Sequence, residues 1–289
     1  RFDAKPGPDV DAVALLSAQL LSAQVDAVTP LPPRVQVAEE DELADIGRLK
    51  DLRERSVSLY EQTLNFIKQA LSGSAETIVD IRQAKRLVHQ FVDLSAQEGA
   101  GESFSLSGLS AIKNYDDYTY NHSVNVCVLA ITFGQKLGFP RNRLAELGLG
   151  ALFHDLGKLS IPKHILNKPA ALSDEEWVIM KKHPAFAFDM LSPIAYLQRA
   201  LDIPYCHHER WNGAGYPRGL KGEGIPLAAR IFAVVDVYDA LRSDRPYRPG
   251  WSEEKVREYI REQVGKHFDP QVVEVFFQMI EENNPMQRG

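Results

Sequence analysis

The sequence predicts an all-α fold, on three observations. Apolar residues recur at three- and four-residue steps through most of the chain after residue 42. Helix-start signals precede several of these stretches. No stretch alternates apolar and polar residues as a half-buried strand does. We expect a multi-helix bundle preceded by an N-terminal helical segment, divided into residues 1–100 and 101–289.

The first hundred residues carry no motif that indicates chemistry. Thr29–Gln36 contains three prolines, which is typical of a linker or extended arm. A helical period then runs from Glu42 to a stop at Gly73, and a second helix follows up to a break at 98–103. We expect this helical pair, the remnant of a regulatory region, to dock on the downstream domain or to pair between subunits of a homodimer.

The downstream helices have recognisable starts and cores. Val124–Leu137 is apolar nearly all round, which predicts a central buried helix. Ser173, with Glu176 three residues later, forms the pattern of a capping box. Asp269 and Pro270 form an N-cap followed by proline at the first helical position.

Composition excludes several classes of protein. The chain has 289 residues, 44% of them hydrophobic, and a formal net charge of −6. That charge argues against a broad basic face for DNA or RNA, although a small anion in a locally positive cleft stays compatible. No apolar run reaches the roughly 18 residues that a membrane span needs.

The two cysteines, Cys127 and Cys206, lie among apolar neighbours. Buried, reduced thiols are the favoured interpretation, which fits a cytoplasmic protein. A metal-ligand role for Cys206 is the less favoured alternative, because histidines and carboxylates are already plentiful nearby.

Several histidines and aspartates interrupt otherwise apolar stretches. His122 alone is more typical of a hydrogen-bonded core histidine than of a ligand. Asp155, which follows His154 and an apolar run, needs a cation or several donors if it is buried. Either a metal ion or Lys158, one turn later, would satisfy it. His183, between lysines and a proline, would alone be read as a surface histidine.

His207 and His208 are adjacent in sequence. On a helix they would point about 100° apart, so we expect them to serve two neighbouring metals, or one metal and the substrate. Asp236 lies in an apolar helical pattern and Asp239 follows three residues later, where it could orient a ligand from outside the metal shell.

Together these residues are a stronger signal than any one of them. They supply seven imidazole or carboxylate ligands suited to a pair of Fe, Mn or Zn ions. A two-metal site of this kind cleaves phosphate esters, with a bridging water as the in-line nucleophile. Lys158 would neutralise charge on the phosphate. The candidate ligands are His122, His154, Asp155, His183, His207, His208 and Asp236.

Two loops supply candidates for substrate binding. Arg245, Tyr247 and Arg248 could bind phosphate or guanine edges and stack on a base, although a salt-bridged surface loop is the alternative. Asn212–Pro217 is rich in turn residues and could hold the ligands and line the cleft, or could be a turn and nothing more. Its candidate residues are Asn212, Gly213, Gly215, Tyr216 and Pro217.

This set of motifs resembles the HD-GYP family of HD-domain phosphohydrolases. The resemblance covers about residues 104–285, and both name-giving motifs are present, His154-Asp155 and Gly215-Tyr216-Pro217. It implies a bacterial enzyme that hydrolyses cyclic di-GMP to pGpG, GMP or both at a centre of two or three metals, with iron favoured and manganese as the alternative.

The resemblance also implies roles for individual residues. The seven candidate ligands would hold the metals, with Asp155 as the bridge, and Lys158 would contact the phosphate. Arg245 and Arg248 would contact the substrate. The Tyr216 loop would shape the cleft and meet partner proteins, such as GGDEF-type signalling proteins.

Two residues depart from the family pattern. Tyr118 occupies the place where three-metal members carry glutamate, so the sequence predicts two metals rather than three. Asn212 replaces a frequent aspartate and keeps its turn chemistry. Two alternatives to the phosphodiesterase stay open. One is a catalytically weak receptor or partner-binding module, and the other is an HD phosphohydrolase for another nucleotide, such as cyclic GMP-AMP.

Overall fold

Residues 35–72, 80–97, 118–244 and 248–282 are described by the computed structural model, and their regular structure is helical. The prediction of an all-α fold is confirmed, since no β-strand lies in these ranges. They form eleven α-helices: α1 Val35–Ser72, α2 Ile81–Gln97, α3 Tyr118–Lys136, α4 Arg141–Leu152, α5 Lys163–Leu166, α6 Asp174–Met180, α7 His183–Leu191, α8 Asp202–Cys206, α9 Leu227–Arg242, α10 Glu253–Glu262 and α11 Pro270–Glu282. Three short 3₁₀ helices lie between them: Leu156–Ser160, Ala195–Leu197 and Gly222–Gly224.

Helix α3 lies at the centre of the hydrophobic core, as its apolar sequence predicts. It packs against α2, α4, α9 and α11. Val124, Ala130 and Phe133 are fully buried, and they lie on different sides of the helix. Polar side chains such as Asn125 and Thr132 are half-buried on this helix, and His122, near its start, is 7% exposed.

The predicted helix starts at Ser173 and Asp269 are confirmed. The Ser173 hydroxyl accepts from the Glu176 amide, and the Glu176 carboxylate accepts from the Ser173 amide, which completes the capping box. The Asp269 carboxylate accepts from the amide of Gln271 at the start of α11. Helix α1 ends at Ser72, directly before the predicted stop at Gly73.

The chain divides into two compact units, Arg1–Leu49 and Lys50–Gly289. The described part of the first unit is the beginning of α1. In the second unit, Tyr60 and Ile67 of α1 and Phe91 of α2 are buried in the same core as α3. Within this second unit, α2 and the part of α1 that follows Leu49 therefore pack on the downstream helices. The functional division at residue 100 and the homodimer stay predictions, and the break at 98–103 and most of the proline-rich arm lie outside the described residues.

Both cysteines are buried free thiols, as predicted. Burial raises the pKa of the Cys127 thiol, and burial with the nearby Glu209 carboxylate raises the pKa of the Cys206 thiol to about 11. Neither cysteine belongs to a candidate metal group within the described ranges.

Among the helices described, we find none with the length and apolar character that crossing a membrane requires.

Candidate metal centre

The structure brings the seven candidate ligands together from separate segments of the chain. Six of them form two groups, and within each group three ligating atoms lie within 4.8 Å of one another. The first group, called here the His122 group, is His122, His154 and Asp236. The second, called here the His183 group, is His183, His207 and His208.

Asp155 lies between the two groups, and each of its carboxylate oxygens faces a different one. Its Oδ2 lies 3.1 Å from Nε2 of His154. Its Oδ1 lies 3.5 Å from Nε2 of His183 and 4.0 Å from Nε2 of His207. Two atoms that bind one cation at about 2.1 Å lie roughly 3.0–3.4 Å apart. Oδ2 meets this distance to His154, and Oδ1 exceeds it toward His183, so the carboxylate lies between the groups and its role as a bridge stays a prediction.

Three of the histidines are oriented by backbone carbonyl groups. Nδ1 of His154 and of His183 lies 2.8 Å from the carbonyl oxygen three residues earlier, and Nδ1 of His207 lies 3.1 Å from that of Ile203. These acceptors select the tautomer with the proton on Nδ1, so the Nε2 lone pairs face the site. Nε2 of His183 and Nε2 of His207 are then only 3.3 Å apart, and a shared cation relieves the repulsion of their lone pairs.

His122 is oriented by a carboxylate instead. Its Nδ1 lies 2.7 Å from Asp239 and its Nε2 lies 3.0 Å from Asp236. From the sequence, Asp239 is predicted to orient a ligand without binding the metal. In the structure it contacts Nδ1 of His122, the ring nitrogen that faces away from the other members of the His122 group. A carboxylate behind an imidazole ligand fixes the ring and raises its basicity.

The electrostatics differ between the two groups. Burial, together with neighbouring imidazoles, holds the pKa of His207 well below its usual value, and burial lowers that of His208 to about 3. Burial opposes protonation of His122 as well, but Asp236 and Asp239 outweigh it and raise the pKa of His122 to about 10. Burial also opposes ionisation of Asp155, yet Lys158 and the histidines hold the pKa of this carboxyl well below its ordinary value. The His183 group is thus uncharged at neutral pH, whereas the His122 group holds a proton.

Two expectations about the histidines are corrected by the structure. His183, read alone as a surface residue, is 1% exposed, because α7 packs its first turn against the 3₁₀ helix that follows Asp155. His207 and His208, expected to diverge on a helix, both belong to the His183 group. Helix α8 ends at Cys206 with His207 as its C-cap, so His208 lies beyond the helix.

The Gly-Tyr-Pro loop is held against the site by a buried carboxylate. Glu209 is 2% exposed and accepts from the amides of Arg218 and Leu220 at 2.7 and 2.9 Å. The Tyr216 ring stacks on His208 with ring centroids 4.7 Å apart. This loop therefore fixes His208. Sequence reasoning missed Glu209, although a carboxylate directly after two site histidines is a signal that could have pointed to it.

The residues at the start of this loop serve its geometry. Gly213 adopts a φ of +84°, and the Asn212 side chain accepts from the amide of Ala214, which is the predicted turn chemistry. A Cβ on Gly215 would lie 2.4 Å from the amide nitrogen of Arg210, so this glycine is required by close approach rather than by a positive φ. The peptide bond between Tyr216 and Pro217 is cis.

The predicted substrate residues are described only in part. Arg245 and Tyr247 lie outside the described residues, as does the side chain of Tyr118. Arg248 donates to the carbonyl oxygens of Ala240, at 3.0 Å, and Leu241, at 3.5 Å, near the end of α9. The substrate-contact role of Arg248 stays a prediction.

The donor set fits divalent metal ions. Imidazole nitrogens and carboxylate oxygens suit Fe, Mn and Zn, and each group offers three such ligands. Asp155 lies 3.1 Å from a ring nitrogen of the His122 group and 3.5 Å from one of the His183 group. The carbonyl and carboxylate partners behind four of the imidazoles are those that metal-binding histidines use.

Metal binding is expected to release about one proton at pH 7.5, and that proton comes from His122. Since its pKa is raised to about 10, it is protonated in the metal-free protein and must lose this proton to bind a cation through Nε2. Affinity at the His122 group should therefore rise with pH between 6.5 and 8.5, while affinity at the His183 group should change little. Calorimetric titration with Mn²⁺ in two buffers of different ionisation enthalpy counts the protons. Release of none, with affinity independent of pH, would contradict this assignment.

Comparisons with known proteins give matches to a family model, to curated relatives and to a solved structure. A family model described as an HD domain matches residues 109–272. Cyclic di-GMP phosphodiesterase PA4108 of Pseudomonas aeruginosa is 37% identical over 281 residues, which are 96% of this chain and 64% of that protein. The 3'3'-cGAMP-specific phosphodiesterase 1 of Vibrio cholerae is 32% identical over 270 residues, or 88% of this chain and 61% of that protein. The chain thus spans less than two thirds of the length of either relative.

One solved structure shows the same fold. Bd1817, an HDG"Y"P protein from Bdellovibrio bacteriovorus, matches with a TM-score of 0.63 at 23% identity. The match covers 80% of this chain and 73% of that one. At this identity the likeness concerns the fold, and the helical bundle described above is shared.

Proposed function

Since the chain belongs to the HD-GYP branch of the HD-domain family, we propose that it is a phosphodiesterase that hydrolyses cyclic di-GMP to pGpG, GMP or both. The observation that carries the proposal is the position of the Asp155 carboxylate. Its two oxygens face two separate groups of three ligands, and Lys158 stands 2.6 Å from one of them. Two cations held there, beside the partly exposed ammonium group of Lys158, would suit a phosphate diester.

Some residues of the site would bind the cations, and others would contact the phosphate. The His122 group and the His183 group would each hold one divalent cation, with Asp155 shared between them. When bound, such a pair supplies a water of lowered pKa and neutralises charge on the phosphate. The family resemblance favours iron, with manganese as the alternative, and imidazole and carboxylate ligands suit both. The phenol of Tyr216, which lies over His208, would line the same cleft.

Lys158 is proposed as the residue that contacts the phosphate. Its side chain is 33% exposed while its partner Asp155 is 9% exposed, so the ammonium group lies where the buried site opens to solvent. An ammonium there attracts the anionic substrate and stabilises charge on the phosphate oxygens during cleavage. Arg245, Tyr247 and Arg248 are proposed to bind the guanine bases or the second phosphate.

The cellular setting belongs to the proposal as well. The two buried free thiols support a reducing, cytoplasmic compartment. Contact of the Gly-Tyr-Pro loop with GGDEF-type or other signalling proteins, and a homodimer through the N-terminal helices, are proposed from the family resemblance.

A hybrid cyclic GMP-AMP is the second candidate substrate. The similarity to a 3'3'-cGAMP-specific phosphodiesterase supports it. Replacing one guanine by adenine changes only a few hydrogen bonds, each worth about 1–3 kcal/mol of discrimination. The two substrates share the phosphodiester chemistry, so the metal centre serves either one.

The proposal is tested by product analysis with the purified 289-residue chain. The protein is prepared anaerobically, its metal content is determined, and it is incubated with cyclic di-GMP or 3'3'-cGAMP. We expect two divalent ions per chain and release of pGpG or GMP. Tight binding of cyclic di-GMP without product, in metal-loaded protein, would favour the receptor alternative. Faster turnover of 3'3'-cGAMP would reassign the substrate.

Changing Lys158 to alanine should leave both cations bound and lower kcat by roughly 100-fold, as loss of a group that stabilises transition-state charge does. Its Nζ is a partner of Asp155 and not a metal ligand, so metal content should not change. Lys163→Ala is the matched control, because that lysine is exposed on the neighbouring α5. An unchanged kcat in Lys158→Ala would remove this residue from the reaction.

A further inference from the structure

A series of hydrogen bonds, part-buried at Asn125 and buried at His122, connects helix α1 to the His122 group. The Tyr60 hydroxyl lies 2.8 Å from Oδ1 of Asn125, and Nδ2 of Asn125 lies 3.0 Å from Oδ1 of Asp239. The other oxygen of Asp239 accepts from Nδ1 of His122 at 2.7 Å. Tyr60, Asp239 and His122 are 1%, 6% and 7% exposed. Three helices, α1, α3 and α9, thus share one polar connection inside the core.

The donors and acceptors in this series fix its direction. The Asp239 carboxylate can only accept, so Asn125 must turn its NH₂ group toward it. The amide oxygen of Asn125 then faces Tyr60 and requires a donor. Burial, with the charge of Asp239, raises the pKa of the Tyr60 phenol, so this hydroxyl keeps its proton and donates. Without the hydroxyl, the half-buried amide of Asn125 loses a protein partner and can reorient.

We infer that Tyr60 and Asn125 are positioning residues for the metal ligand His122, acting through Asp239. The inference rests on the proposed function in one respect, namely that the His122 group holds a divalent cation. The carboxylate behind a histidine ligand sets the orientation of the ring, and losing such a partner lowers metal affinity about 10- to 100-fold. Tyr60 lies further away in the network, so its own effect should be smaller.

Through these hydrogen bonds, helix α1 is part of the support of the metal centre. Tyr60 precedes His122 by 62 positions in sequence and lies in the segment expected to be regulatory. A displacement of this part of α1 would be transmitted to the His122 group, whereas no hydrogen bond of this series reaches the His183 group. One of the two cations is therefore sensitive to the N-terminal helix.

The test is a stepwise titration of the metal-free chain with Co²⁺. Visible absorption and calorimetry measure the binding at each step. Tyr60→Phe keeps the buried ring and removes the hydroxyl. We expect one of the two binding steps to weaken about 3- to 10-fold and the other to stay unchanged. Tyr238→Phe is the matched control, because it removes another buried hydroxyl, one that donates to Glu253 at 2.8 Å on α10. Its Co²⁺ affinities should equal those of the unmodified chain.

A double-mutant cycle tests whether the two residues act in series. Asn125→Ala should weaken the same step by about tenfold, and adding Tyr60→Phe to it should cost nothing more. Effects that multiply, unchanged affinities in Tyr60→Phe, or an equal loss in Tyr238→Phe would each overturn the inference and leave the proposed function standing. Failure of the unmodified chain to bind Co²⁺ would overturn both.

Discussion

Replacing Asp155 by alanine should remove both cations and reduce turnover of cyclic di-GMP by about a thousandfold or more. This is the largest effect expected, because Asp155 is the residue that both ligand groups share. Its loss leaves each group with three ligands and removes one of the negative charges that would face the two dications. Loss of one outer partner already lowers metal affinity 10- to 100-fold, and loss of a shared ligand should exceed that.

The helical fold should survive this substitution. Asp155 is paired with Lys158, whose side chain is one third exposed and can turn to water once its partner is gone. Asp189→Ala, which changes an exposed aspartate on α7, is the control and should keep metals and activity. Elemental analysis, circular dichroism and product release are measured together. Two bound cations in well-folded Asp155→Ala protein would refute the bridging assignment.

Replacing Gly157 by alanine should separate the two ligand groups. A Cβ at this position would lie 1.9 Å from the carbonyl oxygen of His183 and 2.5 Å from the amide nitrogen of Ala187. These are backbone atoms of α7, so the helix that carries His183 must move away from Asp155. We expect the unfolding free energy to fall by about 2–3 kcal/mol, as overpacked cores show, and the His183 group to lose its cation.

Gly224→Ala is the matched control for the glycine substitution. No atom lies within 4 Å of a Cβ built on Gly224, and its φ is not in the left-handed region. This variant should stay within about 0.5 kcal/mol of the parent protein. Thermal unfolding and Co²⁺ titration compare the two variants. If Gly157→Ala unfolds at the same temperature as Gly224→Ala and binds two cations, the close approach of α7 is not essential to the site.

Local sequence signals predicted the parts of the fold that depend on neighbouring residues. The capping box at Ser173, the N-cap at Asp269 and the buried helix around Val124 can each be read within one or two helical turns. The set of seven candidate ligands was also readable, because charged and imidazole side chains are costly in apolar surroundings unless something binds them.

Contacts between distant segments account for what the sequence did not predict. His183 is buried because Gly157, 26 positions earlier, admits the backbone of α7. His207 and His208 belong to the same ligand group because α8 ends at Cys206. No glycine or proline follows Cys206 directly to indicate this helix end in the sequence. Tyr60 reaches Asn125 across 65 positions, and nothing in its neighbourhood distinguishes it from an ordinary core tyrosine.

The measurement that tests the central claim most directly is anomalous X-ray scattering from crystals grown with Mn²⁺ and recorded near the manganese absorption edge. We expect two peaks about 3.5–4 Å apart, one beside the His122 group and one beside the His183 group, with the Asp155 carboxylate between them. A single peak, or peaks bound to other side chains, would contradict the two-cation centre.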